Sequence, residues 1–287
     1  MRAEAFSPCH ITGFFSASSK GSTGAGISLG LGVRTKVVVR PYHRDRFEVY
    51  INGRPDPAPT STLVLRRYSR LFGRPIWARV EHLTELPVGF GFGTSGAGAL
   101  GLSLAMNEAL GLSLSGEEAG RIAHEAEIEA KTGLGTVVAE YQGGFELRLR
   151  PSAPGEGGIV KLPMERGYKL VVVPIAPMKT SKALSDRRLV ERINGLGAEL
   201  LREFERRPRV EEFMRLSSRF SDSIMPKDGQ ERLLRELRAR GYMASLPIFG
   251  NAPFILVKEA EEASRIVERL GYRPIVTEVC EEGARLL

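Results

Sequence analysis

The stretch that most constrains this chain is Pro87-Val88-Gly89-Phe90-Gly91-Phe92-Gly93-Thr94-Ser95-Gly96-Ala97-Gly98-Ala99, which runs straight into an apolar-periodic segment at Leu100 to Leu110. Five of the ten residues from Gly89 to Gly98 are glycine, with the hydroxyls of Thr94 and Ser95 between them. Backbone N–H groups in so bare a loop can close around an anion, and a helix start adds partial positive charge. Pro87, Gly89, Gly91, Gly93, Thr94, Ser95, Gly96, Ala97 and Gly98 are therefore candidate nucleotide-phosphate contacts.

The residues Gly91 to Gly96 also satisfy the dinucleotide pattern GxGxxG, which needs a preceding strand and an acid about 20 residues further on. The acids near that distance, Glu117 and Glu118, follow Ser115 in a capping-box arrangement and so mark a helix start. No Lys follows Gly96, which removes the Walker pattern, and no DFG sequence supports a protein kinase. A close-packing turn of small residues remains the alternative to a nucleotide site.

Composition sets wider bounds. At 287 residues and 42% hydrophobic content the chain buries a sizeable core, as one large domain or two smaller ones. No stretch approaches the roughly 20 apolar residues of a membrane span, and MRAEAFSPCH lacks a signal-peptide core, so a cytoplasmic location without membrane partners is expected. Cys9 and Cys280 have neither disulfide-framework nor zinc-ligand spacing. The net charge of +7 permits nucleic-acid binding, but the arginines between 202 and 240 interleave with glutamates as on solvated helix faces. No nucleic-acid partner is expected; a basic surface equally suits ATP and an anionic substrate.

Along the chain, Val37 to Val39 and Phe47 to Ile51 read as strands, Asn52-Gly53 as a tight turn, and Pro55, Pro57 and Pro59 as a connector before a helix from Thr62 to Leu71. A strand at Ile76 to His82 leads to the glycine loop, with helices from about Ala99 and Gly116. The second half offers a strand at Lys169 to Pro174 and helices over Ser185–Arg207, Val210–Ser221 and Gly229–Arg240. Strands at Tyr242–Ile248, Pro253–Val257 and Pro274–Val279 follow, with a helix at Glu259–Leu270. This order predicts an α+β protein with helices on one face of an antiparallel sheet, and a boundary near Pro151 to Gly158.

Candidate chemistry gathers after the loop. Ala119, Ile122, Ala123, Ala126 and Ala130 form an apolar stripe, while His124 and Glu127 share another face. That pair suits a metal ligand, a substrate anchor or acid/base work, or it is simply solvated; Glu127 and Lys131 also have ion-pair spacing. Gly133-Leu134-Gly135-Thr136 is a second glycine turn, and Arg148 and Arg150 lie on one face of a strand, either as carboxylate clamps or as solvated edge cations.

These residues resemble the GHMP kinases. The loop is similar to their ATP-binding second motif, commonly Pro-x-x-x-Gly-Leu-Gly-Ser-Ser-Ala, with Thr94 for the first Ser and Gly96 for the Ala. Ser7 to Phe15, Gly21 to Gly26 and Gly133 to Gly135 resemble the archaeal pantoate kinase branch. The resemblance implies a two-lobed GHMP kinase fold, with a β-rich ATP-binding N-terminal domain over 1–150 and an α/β C-terminal domain with extra helices over 151–287. It further implies ATP and Mg²⁺ as cofactors, pantoate as substrate and a homodimer. Ser95 and Glu127 would hold the metal; Ser28, Gly13, Phe14, Phe15, His124 and Arg148 would meet pantoate. Lys20, Lys179 and Lys182 are further loop cations, and Phe249-Gly250-Asn251 stands where a third motif is expected.

One position departs from the pattern. The family usually carries an acid near the acceptor hydroxyl at position 136, where this chain has Thr136, grouped with Glu127 and His124 as the catalytic candidates. A Thr relays a hydrogen bond but takes no proton at neutral pH, and loss of a general base costs on the order of 100-fold to 10,000-fold. The expectation is a pantoate kinase of reduced rate, or one using another carboxylate such as Glu140. The alternatives are a GHMP kinase for homoserine or mevalonate and a catalytically silent ATP-binding protein.

Overall fold

A computed structural model describes residues 1–178, 180–226 and 228–287, with the side chains of all of these but 181 and 182. A long hairpin organises the first half: β1 (Arg2–Ser18) and β2 (Gly21–Pro41) pair antiparallel. Thr35, Val37 and Val39 are buried while Lys36, Val38 and Arg40 are exposed, the period of two that a half-buried strand requires. Gly13 is an extra residue on β1 between the pairs Thr12/Gly26 and Phe14/Ala25, a bulge beside the cavity described below.

β3 (Arg46–Ile51) and β4 (Arg54–Pro55) meet at Asn52 and Gly53, whose φ values of 48° and 75° give the left-handed pair that an Asn-Gly hairpin turn needs. α1 (Pro59–Phe72) opens on Pro59, earlier than expected, because proline suits a first helical turn. β5 (Ile76–Thr84) lies antiparallel to β2 and parallel to β3.

Next come α2 (Thr94–Leu110), α3 (Gly116–Ala130) and α4 (Thr136–Gln142). α2 starts at Thr94 rather than near Ala99, so Gly96, Gly98 and Gly101 lie inside it. Glycine disfavours a helix interior by about 1 kcal/mol each. Here burial prevails: α2 packs on β1, β2, α1, α3 and α4, and a Cβ at Gly101 would stand 3.0 Å from Thr35 Oγ1. Ser115 caps α3 in the expected capping box with Glu118.

The remaining elements are β6 (Phe145–Arg148), β7 (Ile159–Leu162), β8 (Lys169–Val172), α5 (Thr180–Ser185), α6 (Arg187–Arg206), α7 (Val210–Ile224) and α8 (Glu231–Ala239). β9 (Ala244–Ser245), β10 (Phe254–Val257), α9 (Glu261–Arg269), β11 (Ile275–Glu278) and β12 (Arg285–Leu286) complete them. The strand expected over Tyr242–Ile248 is thus only two residues long.

One sheet runs β12-β1-β2-β5-β3-β4, with β6 on β2 and β7 on β6; the other runs β11-β8-β10-β9, all antiparallel. The α+β class holds, with a change in layering. Leu170, Val172, Phe254 and Leu256 join the main core with Phe204 and Phe213 of α6 and α7, whereas Val171 and Ile255 pack with α8 and α9. Both faces of the small sheet are covered, because its side chains alternate and both sets are apolar.

A closing segment ties the end of the described chain to the first sheet. Cys280 N donates to Ser28 O (2.9 Å), Gly144 N to Cys280 O (2.7 Å) and Ala284 N to Glu140 O (3.0 Å), and β12 pairs with β1. Among the described residues no helix is long and apolar enough to cross a membrane.

Candidate active site

A cavity of about 350 Å³ lies where the glycine loop, β1, the end of α3 and the Gly133 turn meet residues 248–249 of the second half. The loop supplies Gly89, Gly91, Gly93, Thr94, Ser95 and Gly98 to its wall; Pro87, Gly96 and Ala97 lie behind it. Gly89, Gly91 and Gly93 have φ of 88°, 84° and 70°, a left-handed conformation costly for residues with a Cβ. The first backbone bond of the helix start is Ala97 N to Gly93 O (3.0 Å), so the amides of Thr94, Ser95 and Gly96 precede the helical ladder and face an anion's natural position.

Ser95 Oγ stands 3.2 Å from Thr60 Oγ1, which in turn is 2.9 Å from Thr132 Oγ1. Glu127 reaches the wall from α3 and is 1% exposed, so the surface ion pair with Lys131 is not formed; a Cβ at Gly133 would lie 2.4 Å from its carboxyl carbon, a space only glycine leaves. Its Oε2 has no hydrogen-bond partner, and burial pushes its carboxyl up to about 8, only partly offset by the backbone of Val137. A buried, underpartnered carboxylate beside a hydroxyl and a helix start suits a divalent cation.

Thr136 opens α4 and lines the cavity. One turn on, Glu140 is fully buried with neither carboxylate oxygen partnered; burial first, and Glu127 second, hold its carboxyl well above the usual range. Among the described residues, no Lys or Arg lines the cavity.

Several expected contacts lie elsewhere. His124 is not among the residues lining the cavity, and its Nε2 lies 3.1 Å from the carbonyl of Lys20 in the hairpin turn. Ser28 is buried and donates to Ala139 O (3.5 Å), which locks β2 to α4. Gly13 packs on Phe213 and Ser217 of α7, and Phe14 stacks edge-on against Phe204 at 5.6 Å; the bulge sends both into the core and leaves Phe15 on the wall against Phe249. Lys179 and the side chain of Lys182 lie outside the described residues.

Arg148 is neither a solvated cation nor a cavity residue. β6 runs between β2 and β7, so its side chains are covered; Arg148 donates to Gly135 O and Thr12 Oγ1, both at 3.2 Å, and its Nη1 stands 3.3 Å from Glu146 Oε1. Glu146 also meets His10 Nε2 at 3.0 Å, and His10 Nδ1 lies 3.3 Å from Thr12 Oγ1. His10 and Thr12 line the cavity, so this buried network stands directly behind its wall. Two signals could have marked it: a His and a Thr two apart in an apolar strand, and a Glu and an Arg two apart on another.

The comparisons agree with this architecture. Residues 62–144 match the family model of the GHMP kinases N terminal domain. The chain is 31% identical over 300 residues to the pantoate kinase of Thermococcus kodakarensis, covering 100% of this chain and 98% of that one. It is 31% identical over 222 residues to the pantoate kinase of Methanocaldococcus jannaschii, covering 75% of this chain and 78% of that one. A solved phosphotransferase related to the CoA biosynthesis pathway superposes with a TM-score of 0.88 at 29% identity, covering 100% of this chain and 99% of that one. A two-lobed fold of this kind, with a glycine-capped helix at its cavity, is that of a small-molecule kinase. The chain belongs to the GHMP kinases, in their pantoate kinase branch.

Proposed function

We propose that this chain transfers the γ-phosphoryl group of ATP to the 4-hydroxyl of pantoate, giving 4-phosphopantoate and ADP for coenzyme A synthesis. The observation that carries the reading is the meeting of the α2 start, Ser95, Glu127 and Thr136 on one cavity, in a chain that matches a pantoate kinase along its whole length. The lobe over 1–150 would hold the nucleotide and that over 151–287 would complete the pocket, in a cytoplasmic homodimer of archaeal type.

The hydroxyl oxygen of pantoate forms the new bond to the γ-phosphorus as the bond to the β–γ bridging oxygen breaks, and the hydroxyl proton ends on solvent. Such transfer depends mainly on positioning and charge stabilisation. The amides from Gly91 to Gly96 hold the phosphates at the helix start, where the transition-state charge grows. Ser95 and Glu127 would hold Mg²⁺, which supplies charge neutralisation when bound. Thr136 lines the cavity that the acceptor would enter, and Phe15 and Leu134 offer apolar wall for a branched acid. Arg148 holds Thr12 and Gly135 in place from behind the wall.

A panel of pantoate, homoserine and mevalonate with ATP, read by phosphorus NMR and mass of the product, tests this. Phosphopantoate alone is the expected product. Turnover of homoserine or mevalonate in its place overturns the substrate, and nucleotide binding with no product from any acceptor overturns the enzyme.

A further inference from the structure

Two buried carboxylates close on the same point beside the start of α2. A Cβ built on Gly96 would lie 2.8 Å from Glu140 Oε2, 3.1 Å from Glu127 Oε1 and 3.2 Å from Thr136 Cβ. One built on Gly93 would lie 2.6 Å from Glu140 Oε1 and 2.6 Å from Thr136 Cγ2. The Glu140 carboxylate thus fills the space that bare glycines at the loop-to-helix junction leave open. It is 0% exposed, has no partner for either oxygen, and is aimed at the residue that follows Ser95.

Buried carboxylates left unpaired are costly, and most are paired with a cation or hydrogen-bonded. Glu146 shows the usual solution nearby, held by His10 and Arg148. Neither Glu127 nor Glu140 is hydrogen-bonded to a cation, although the Arg148 charge acts on Glu140 from behind; Glu127 lines the cavity that a triphosphate would enter, Glu140 stands just behind its wall, and no Lys or Arg among the described residues lines it. No group of three or more His, Cys, Asp or Glu is placed for a metal among the described residues. Two carboxylates and a hydroxyl nevertheless match the way Mg²⁺ is commonly held, by one or two carboxylates with substrate phosphates completing its shell.

We propose that Glu140 is a second carboxylate of the divalent-cation site, sharing the ion with Glu127 and Ser95, and that glycine at 96 is required to admit it. The inference rests on the kinase reading above and adds a residue to it. It also joins two of the chain's departures from the family pattern, Gly96 and Thr136, since both lie beside the Glu140 carboxylate. Thr136 and Glu140 are one helical turn apart on α4, which sets the carboxylate one turn beyond the residue that lines the cavity.

Mn²⁺ binding to the full chain, followed by electron paramagnetic resonance with a non-hydrolysable ATP analogue present, tests the assignment. Glu140→Gln should weaken Mn²⁺ binding on the order of tenfold or more, as should Glu127→Gln, while analogue binding without metal stays at the wild-type level. Glu140→Asp keeps the charge but shortens its reach by one methylene, and should weaken Mn²⁺ too, which keeps the question answerable if Glu140→Gln fails to fold. Wild-type Mn²⁺ affinity in either variant overturns the assignment. If the wild type phosphorylates pantoate while its Mn²⁺ affinity ignores Glu140, only this inference falls; if it phosphorylates no acceptor, the kinase reading falls first.

Discussion

Two buried acidic regions flank the same cavity and are built in opposite ways. On one side Glu146 is matched by His10 and Arg148, which in turn hold Thr12 and Gly135. On the other, Glu127 Oε2 and both oxygens of Glu140 have no hydrogen-bond partner. A matched network rigidifies a wall; an unmatched one stores a binding preference at the expense of stability. The difference separates scaffold from working site more sharply than burial does, since all of these side chains are buried.

The largest effect should come from breaking the matched side. Glu146→Gln leaves the Arg148 charge buried without its counter-ion, and should destabilise the fold by about 3–5 kcal/mol in denaturant titration. Glu127→Gln should do the reverse: kcat/KM falls about 100-fold to 1,000-fold, while the metal-free protein melts no lower than wild type. Equal losses of stability in the two variants would erase the distinction.

His82 is a third, neutral solution to burial, with only the hydroxyls of Thr35 (2.9 Å) and Ser61 (3.0 Å) as partners. Burial lowers its ring from 6.5 to about 4. The folded state therefore binds the proton less readily than the unfolded one. The stability this gives is present above pH 6.5 and is lost as pH falls through about 4, a loss of about 3 kcal/mol that His82→Gln should remove from acid-unfolding curves. The smallest effect belongs to exposed charge. Arg219, paired with Glu199 and Glu203 between α6 and α7, should cost only about 0.2–1 kcal/mol on replacement by Ala, and less still at high salt.

Local signals in the sequence were reliable where the physics is local. The Asn52-Gly53 turn, the Ser115 capping box and the charged helices of the second half depend on neighbours a few residues away. Propensity alone starts α2 near Ala99, five residues late, because burial against β1 and β2 outweighs three glycines' reluctance to be helical. The pairing of His10 with Glu146 joins positions 136 apart, and no spacing rule reaches that far. The alternation of its strand leaves Arg148 open as a carboxylate clamp or a solvated edge cation; whether a strand lies at an edge is decided by β7, which arrives after an intervening loop. His124 and Glu127 were correctly set on one helix, yet only Glu127 meets the cavity, since the Lys20 turn takes the other.

The closing segment makes distant stretches of the chain depend on one another for a closed sheet edge. Domains generally fold as units during translation, at about 5–20 residues per second, with earlier parts first. Residues 280–286 satisfy the backbone of Ser28, Gly144 and Glu140 and cover the outer edge of β1. A nascent chain that has not yet released them carries an open strand edge, a template for pairing with other chains. It also lacks the hydrogen bond from Ala284 to Glu140 O that secures the last turn of α4.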